Sequence, residues 1–253
     1  MSPFFLMDYG SKVDFSPTNT PRGVGVHPHR GFETVTIAYH GSVAHHDSAG
    51  NSGIIGEGDV QWMTAGSGLL HKEYHEKEFS KRGGLFQMVQ LWVNLPAKYK
   101  MTPPKYQEIT HKKMGNWQLA TNKGVVEIIA GEYHGVTGPA STFTPLQVYN
   151  ARLKKDAEVE FNFPSNYNTG ILVVEGSANI NGIPAPADHF ILFKNDGELI
   201  NIQAKEDSIL LILSGEPIDE PIAQYGPFLM NTWKELEQAI EDVNSGKFGV
   251  LEE

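Results

Sequence analysis

Four side chains in this 253-residue chain are spaced to hold one metal ion: His27 and His29 of His27-Pro28-His29, and His71 and Glu73 of His71-Lys72-Glu73. In an extended segment residues i and i+2 face the same way, so each motif presents a pair of donors on one side of a strand. Two such pairs on neighbouring strands can converge on a single divalent transition ion. Three imidazoles and one carboxylate leave up to two octahedral positions open to ligands from solution. Pro28 has no amide to donate and biases His27 toward extended backbone, which places this stretch on a sheet edge or at a bulge. Glu33 is the rival carboxylate. It shares the parity of His29 only if no bulge intervenes, and Arg30-Gly31 is a place for one. Glu73 therefore ranks first, and Glu33 is left to orient an imidazole or to pair with Arg30 or Lys72.

The remaining chemistry is sparse. The chain has no cysteine, which excludes disulfides, thiolate zinc sites, iron–sulfur clusters and cysteine nucleophiles. His45-His46-Asp47 runs into a small polar segment and reads as a solvated turn, and His75 reads as a surface residue of the charged run Lys72 to Lys81. Gly66-Ser67-Gly68 lacks the lysine of a phosphate-binding loop and reads as a tight turn. No Gly-x-Ser-x-Gly elbow is present. A net charge of −10 argues against direct nucleic-acid binding and against an anionic membrane surface. No run approaches the ~20 apolar residues of a membrane span. Met1 to Asp8 has neither the basic region nor the long apolar run of a secretion signal, so a cytoplasmic protein is expected.

The elements that must carry these donors are strands. Phe32 to Tyr39, Val60 to Met63, Gly84 to Leu95, Gly124 to Ala130, Leu146 to Leu153, Ile171 to Glu175, Phe190 to Phe193 and Ile209 to Leu213 are short β-type runs punctuated by turn residues. Such spacing predicts an all-β sandwich or barrel fold. Residues 27 to 75 hold seven of the ten histidines, whereas residues 135 to 253 hold only His189, so the second half reads as structural. Pro103-Pro104 with Lys105 to Lys113 marks a connecting region, and Gly131 to Pro139 is a second loop where domains could join. The division expected is 1–131 and 132–253. Thr232 with Glu235 three residues on forms a capping box, and Trp233, Leu236, Ile240 and Val243 give a C-terminal helix an apolar stripe.

Three blocks, HPHRGFETVT from His27, GDVQWMTAGSGLLHKE from Gly58 and LWVNLPAKYKMTPPKYQ from Leu91, resemble the signature blocks of the pirin family. GEPIDEPIAQYGPFLMNT from Gly215 is similar to the C-terminal block of its bacterial members. The resemblance covers almost the whole chain. It implies two cupin-type β-barrel domains facing each other, with metal only in the first, an N-terminal 1–131 domain, and a metal-free 132–253 domain that ends in a helix. The family's ligands fall on His27, His29, His71 and Glu73. The ion it implies is most often Fe(II), with other divalent ions tolerated.

Several pirins resemble quercetin 2,3-dioxygenases, which implies a flavonol-like aromatic substrate, ring opening by O2 with release of carbon monoxide, and Glu73 as the catalytic base. Others resemble iron-dependent regulators that bind a transcription factor or a metabolic enzyme. An enzyme needs an apolar pocket beside the metal, for which Trp62, Met63, Phe86 and Met88 are the candidate walls.

Overall fold

The computed structural model describes residues 1–252. The chain forms two compact β units. One comprises Phe4–His111 together with Ile218–Glu253, and the other Met1–Pro3 with Lys112–Pro217.

The unit that carries the histidine motifs contains β1 (Phe4–Phe15), β2 (Gly23–His29), β3 (Phe32–His40), β4 (Val43–Asp47), β5 (Ser52–Ile55), β6 (Val60–Thr64), β7 (Leu69–His75), α1 (Lys77–Arg82), β8 (Gly84–Asn94) and β9 (Lys105–Ile109). They make two antiparallel sheets, β1-β8-β3-β6-β9 and β2-β7-β4-β5. Hydrogen bonds from Thr36 on β3 and Gln90 on β8 to Glu73 on β7 show that the sheets face each other, as in a cupin barrel. Thr36 lies directly opposite Gln90 in the ladder, so both belong to the inner face together with Phe32, Thr34 and Trp92. The alternate residues Glu33, Val35 and Ile37 are buried as well, so β3 is buried on both faces.

The second unit contains β10 (Gly115–Gln118), β11 (Gly124–Ala130), β12 (Glu132–Tyr133), β13 (Val136–Thr137), β14 (Leu146–Leu153), β15 (Glu158–Asn162), β16 (Asn168–Glu175), β17 (Ser177–Ile180), β18 (Ile183–Pro186), β19 (His189–Leu192), β20 (Leu199–Ala204) and β21 (Ser208–Gly215). Its sheets run β10-β11-β14-β21-β16-β19 and β15-β20-β17-β18. Along β15 the residues alternate between exposed Glu158 and Glu160 and buried Val159 and Phe161, the pattern of a sheet with one wet face. The barrel interior is closed by Tyr149, Phe161, Ile171, Ile202 and Ile212, an apolar filling with no ligand chemistry. A fully buried Phe stabilises the fold by about 1.5–3 kcal/mol relative to an exposed one. Gly131 to Pro139 is not a joint between domains but the β12–β13 hairpin, within this unit.

The last segment returns to the first unit with β22 (Ala223–Tyr225), β23 (Phe228–Met230) and α2 (Trp233–Asn244). Thr232 caps α2 through the Glu235 amide, and Glu235 accepts from the Thr232 amide, which completes the capping box. The buried stripe of α2 is Leu236, Ala239 and Asp242, packed with Phe228, Met230 and Phe248, whereas Trp233 and Ile240 are exposed. The division thus differs from 1–131 and 132–253. The Pro103–Lys113 region holds the boundary, and the C-terminal helix belongs with Phe4–His111, which it meets through Leu70 and through the Arg30–Asp242 ion pair.

Candidate metal centre

The histidine motifs meet across one strand pair. In the β2·β7 ladder His27 lies opposite His71 and His29 opposite Leu69, after a bulge between Val24 and His27. β2 is the edge of its sheet, which is where Pro28 loses no ladder bond. The ring centroids are 4.7 Å apart for His27 and His29, 4.2 Å for His27 and His71, and 4.6 Å for His29 and His71. One ring nitrogen from each lies within 4.8 Å of the others. Nitrogens bonded at about 2.1 Å to one octahedral ion stand about 3 Å apart, so small ring rotations complete such a site.

The hydrogen bonds prepare these rings as donors. His27 Nδ1 donates to the Gly25 carbonyl at 2.8 Å, and His29 Nδ1 donates to the Pro227 carbonyl at 3.3 Å. A carbonyl only accepts, so Nδ1 of each ring carries a proton and Nε2 is the atom left to face a metal. His71 is 1% exposed, yet neither of its ring nitrogens has a partner. Two orphaned nitrogens are costly in a barrel interior, and a metal ion would relieve one of them. Burial, with the His27 imidazole second, holds His29 down to about 3, and burial holds His71 well below the usual range. Both rings are therefore neutral, the form that ligates. The donor set fits a divalent transition metal.

Glu73 shares the inner face of β7 with His71, but its carboxylate is not among the clustered donors. Its Oε2 accepts from Gln90 Nε2 at 2.6 Å, and its Oε1 accepts from Thr36 Oγ1 at 3.2 Å. Burial raises its pKa, against the pull of the Gln90 bond. An apolar cavity of about 130 Å³ opens beside it, lined by Val24, Val43, His75, Phe86 and Met88. Trp62 and Met63 are not part of this wall. Met63 packs with Ala65, Leu69 and Tyr106, and Trp62 lies opposite Val35, on the other face of the sheet. A larger hollow of about 430 Å³ lies in the second unit, where Glu158, Glu160 and Asn201 line it without a histidine.

Glu33 orients no imidazole and pairs with neither Arg30 nor Lys72. It sits on the face of β3 opposite to Thr34 and Thr36, accepts from Thr64 Oγ1 at 2.7 Å, and is pushed up to about 7 by burial. Arg30 pairs instead with Asp242, and Lys72 donates to the Glu252 carbonyl. His45 and His46 form no solvated turn. They lie on β4, where His45 is buried opposite Glu73 and bonds Tyr106 at 2.8 Å, while His46 stacks on Tyr74. His75 is buried against Phe15, Phe79 and Phe86. Sequence reasoning missed Thr36 and Gln90, whose only signal is a polar residue inside a strand-like run.

Two family models match the chain, Pirin over residues 1–93 and Pirin C-terminal cupin domain over residues 148–249. The Pseudomonas aeruginosa protein PA2418, named provisionally as a quercetin 2,3-dioxygenase, is 46% identical over 98% of this chain and 87% of its own. The crystal structure of a quercetin 2,3-dioxygenase from Acinetobacter baumannii superposes with a TM-score of 0.94 at 48% identity, over 99% of this chain and 88% of that one. Bacterial pirin YhhW of Escherichia coli, solved in complex with nickel(II), superposes at 0.63 with 26% identity, over 78% and 77% of the two chains. Sequence blocks, two cupin units and full-length similarity lead to one assignment: this chain belongs to the pirin family.

Proposed function

We propose that His27, His29, His71 and Glu73 bind one divalent transition metal, Fe(II) in the first instance, and that the protein is a dioxygenase acting on a flavonol-like substrate. The observation that carries this reading is the convergence of three imidazoles, two of them buried, beside a buried carboxylate that opens on an apolar cavity. The bound ion would supply Lewis acidity that lowers the pKa of a substrate hydroxyl. Glu73 would take that proton. Its raised pKa makes it a stronger base than an exposed carboxylate, and Oε1, held by the longer bond, is the better placed oxygen. Gln90 fixes the other oxygen, so the carboxylate keeps its direction as it protonates. Phe86 and Met88 give the aromatic substrate an apolar wall and keep water from the base.

One observation favours a second reading. The cavity of about 130 Å³ is smaller than the ~300 Å³ at which small-molecule sites usually begin. An iron-dependent regulator that binds a transcription factor or metabolic enzyme needs no such cavity, and the acidic balance of the chain suits a basic partner surface.

Oxygen uptake with quercetin separates the two. The metal-loaded enzyme should consume O2 and release carbon monoxide, and Glu73→Gln should be slower by about 10²- to 10⁴-fold. Metal-loaded protein that leaves both O2 and quercetin untouched, with Glu73→Gln indistinguishable from it, would end the enzymatic reading. Full metal stoichiometry in His29→Ala would end the assignment of the site.

A further inference from the structure

We infer that the segment Ile218–Glu252 is a strap that positions His29 for the metal, so that strap docking and metal binding are energetically coupled. The proposal rests on the reading of His27, His29 and His71 as ligands.

Five contacts converge on His29, Arg30 and Gly31, four of them from the strap itself. The Pro227 carbonyl, in the β22–β23 hairpin, accepts from His29 Nδ1, the contact that leaves Nε2 free for a metal. One residue on, the Leu229 amide donates to the Arg30 carbonyl at 3.1 Å. The Arg30 guanidinium is held by Asp242 of α2 at 2.9 Å and lies over the Phe248 ring at 4.7 Å, with both charged side chains at most 10% exposed. Finally, Lys100 Nζ donates to the Gly31 carbonyl at 2.9 Å and to the Leu229 carbonyl at 2.8 Å, which ties the turn after His29 to the strap. The fit leaves no slack, since a Cβ on Gly31, at φ +89°, would lie 2.1 Å from the Leu229 oxygen.

His71, by contrast, has no hydrogen bond to orient it, and the His27 acceptor, Gly25, is local to its own strand. Of the three rings, His29 alone takes its orientation from a distant part of the chain. A strap that lifts away removes the acceptor and frees the ring to turn, and a metal that binds the turned-in ring must favour the docked strap by the same factor.

The test uses the full-length protein stripped of metal, with Ni(II) as the probe. Calorimetric titration should give an affinity reduced about 10- to 100-fold in Asp242→Asn and in Lys100→Met, the range seen when a ligand's supporting partner is lost. Hydrogen exchange on the wild type should slow across residues 227–230 and α2 when Ni(II) is added, with no change in β15 and β20. A merely structural strap would not respond to the metal. Wild-type affinity in both variants, or strap exchange that is the same with and without Ni(II), would overturn the coupling. If a variant fails to fold, the exchange measurement on the wild type decides alone. His71→Ala run in parallel identifies the other failure, since wild-type Ni(II) affinity in that variant would remove the site itself.

Discussion

Lys100 offers a quantitative test of how the histidine-bearing unit is held together. Its ammonium is 2% exposed and gives its three protons to the Gly31 and Leu229 carbonyls and to Asn94 Oδ1. None of the three carries a charge, and burial lowers the Lys100 pKa from 10.5 to about 8. Between these values the unfolded chain binds the proton and the folded one does not, so stability must rise with pH. The whole shift is worth about 3 kcal/mol at 1.36 kcal/mol per unit. Integrated between pH 7 and pH 9, below the ionisation of the buried tyrosines, it amounts to about 1 kcal/mol. Lys100→Met keeps most of the side-chain volume and removes the titration. Urea unfolding followed by tryptophan fluorescence at pH 7, 8 and 9 should show the wild type gaining about 1 kcal/mol relative to Lys100→Met over that range. At pH 7 the variant also leaves three acceptors bare, so the pH slope rather than the absolute difference is diagnostic. Parallel pH profiles for the two proteins would refute the assignment of Lys100 as a buried, titrating ammonium.

Two further outcomes follow from burial. Glu33 is pushed up to about 7, so the folded chain holds its proton more tightly than the unfolded one, and the stability this provides is present below pH 4.5 and lost as pH rises through 7. Glu33→Gln should therefore be more stable than wild type at pH 8 by up to about 3 kcal/mol, with the gap closing toward pH 4.5; equal unfolding midpoints at pH 8 would count against it. Phe161→Ala empties a fully buried position in the second unit and should cost about 3–5 kcal/mol of that unit's stability. Because the clustered histidines belong to the other unit, metal stoichiometry should be unchanged, which elemental analysis of the purified variant checks.

What could be read from the sequence was what depends on neighbours along the chain. The shared face of His27 with His29, the edge position implied by Pro28 and the Thr232–Glu235 capping box all rest on spacing and have their counterparts in the structure, whereas Glu73 shares a face of β7 with His71 but keeps its carboxylate outside the clustered donors. What could not be read depends on residues that meet only after folding. Asp242 is buried on α2 where Arg30 reaches one of its oxygens and Gln238 and Lys247 the other, and the Arg30 contact has no signal within the helix; periodicity favoured the more hydrophobic Trp233 and Ile240, which stay exposed. His45 sits among polar residues in sequence, yet strand pairing with β7 turns it inward to meet Tyr106. Glu73 was legible as a carboxylate of interest, but its holders Thr36 and Gln90 come from the opposite sheet.

The split composition of the histidine-bearing unit also delays its completion during synthesis. Its strands through β9 leave the ribosome first, then the whole of Lys112–Pro217, and only afterwards the hairpin and helix that complete it. At synthesis rates of about 5–20 residues per second, the intervening stretch of roughly a hundred residues delays completion by about 5–20 s. During that interval the Pro227 acceptor of His29 does not yet exist. Apart from Met1–Pro3, the later-encoded barrel is contiguous in sequence, so its closure does not wait for the hairpin and helix that the earlier one needs.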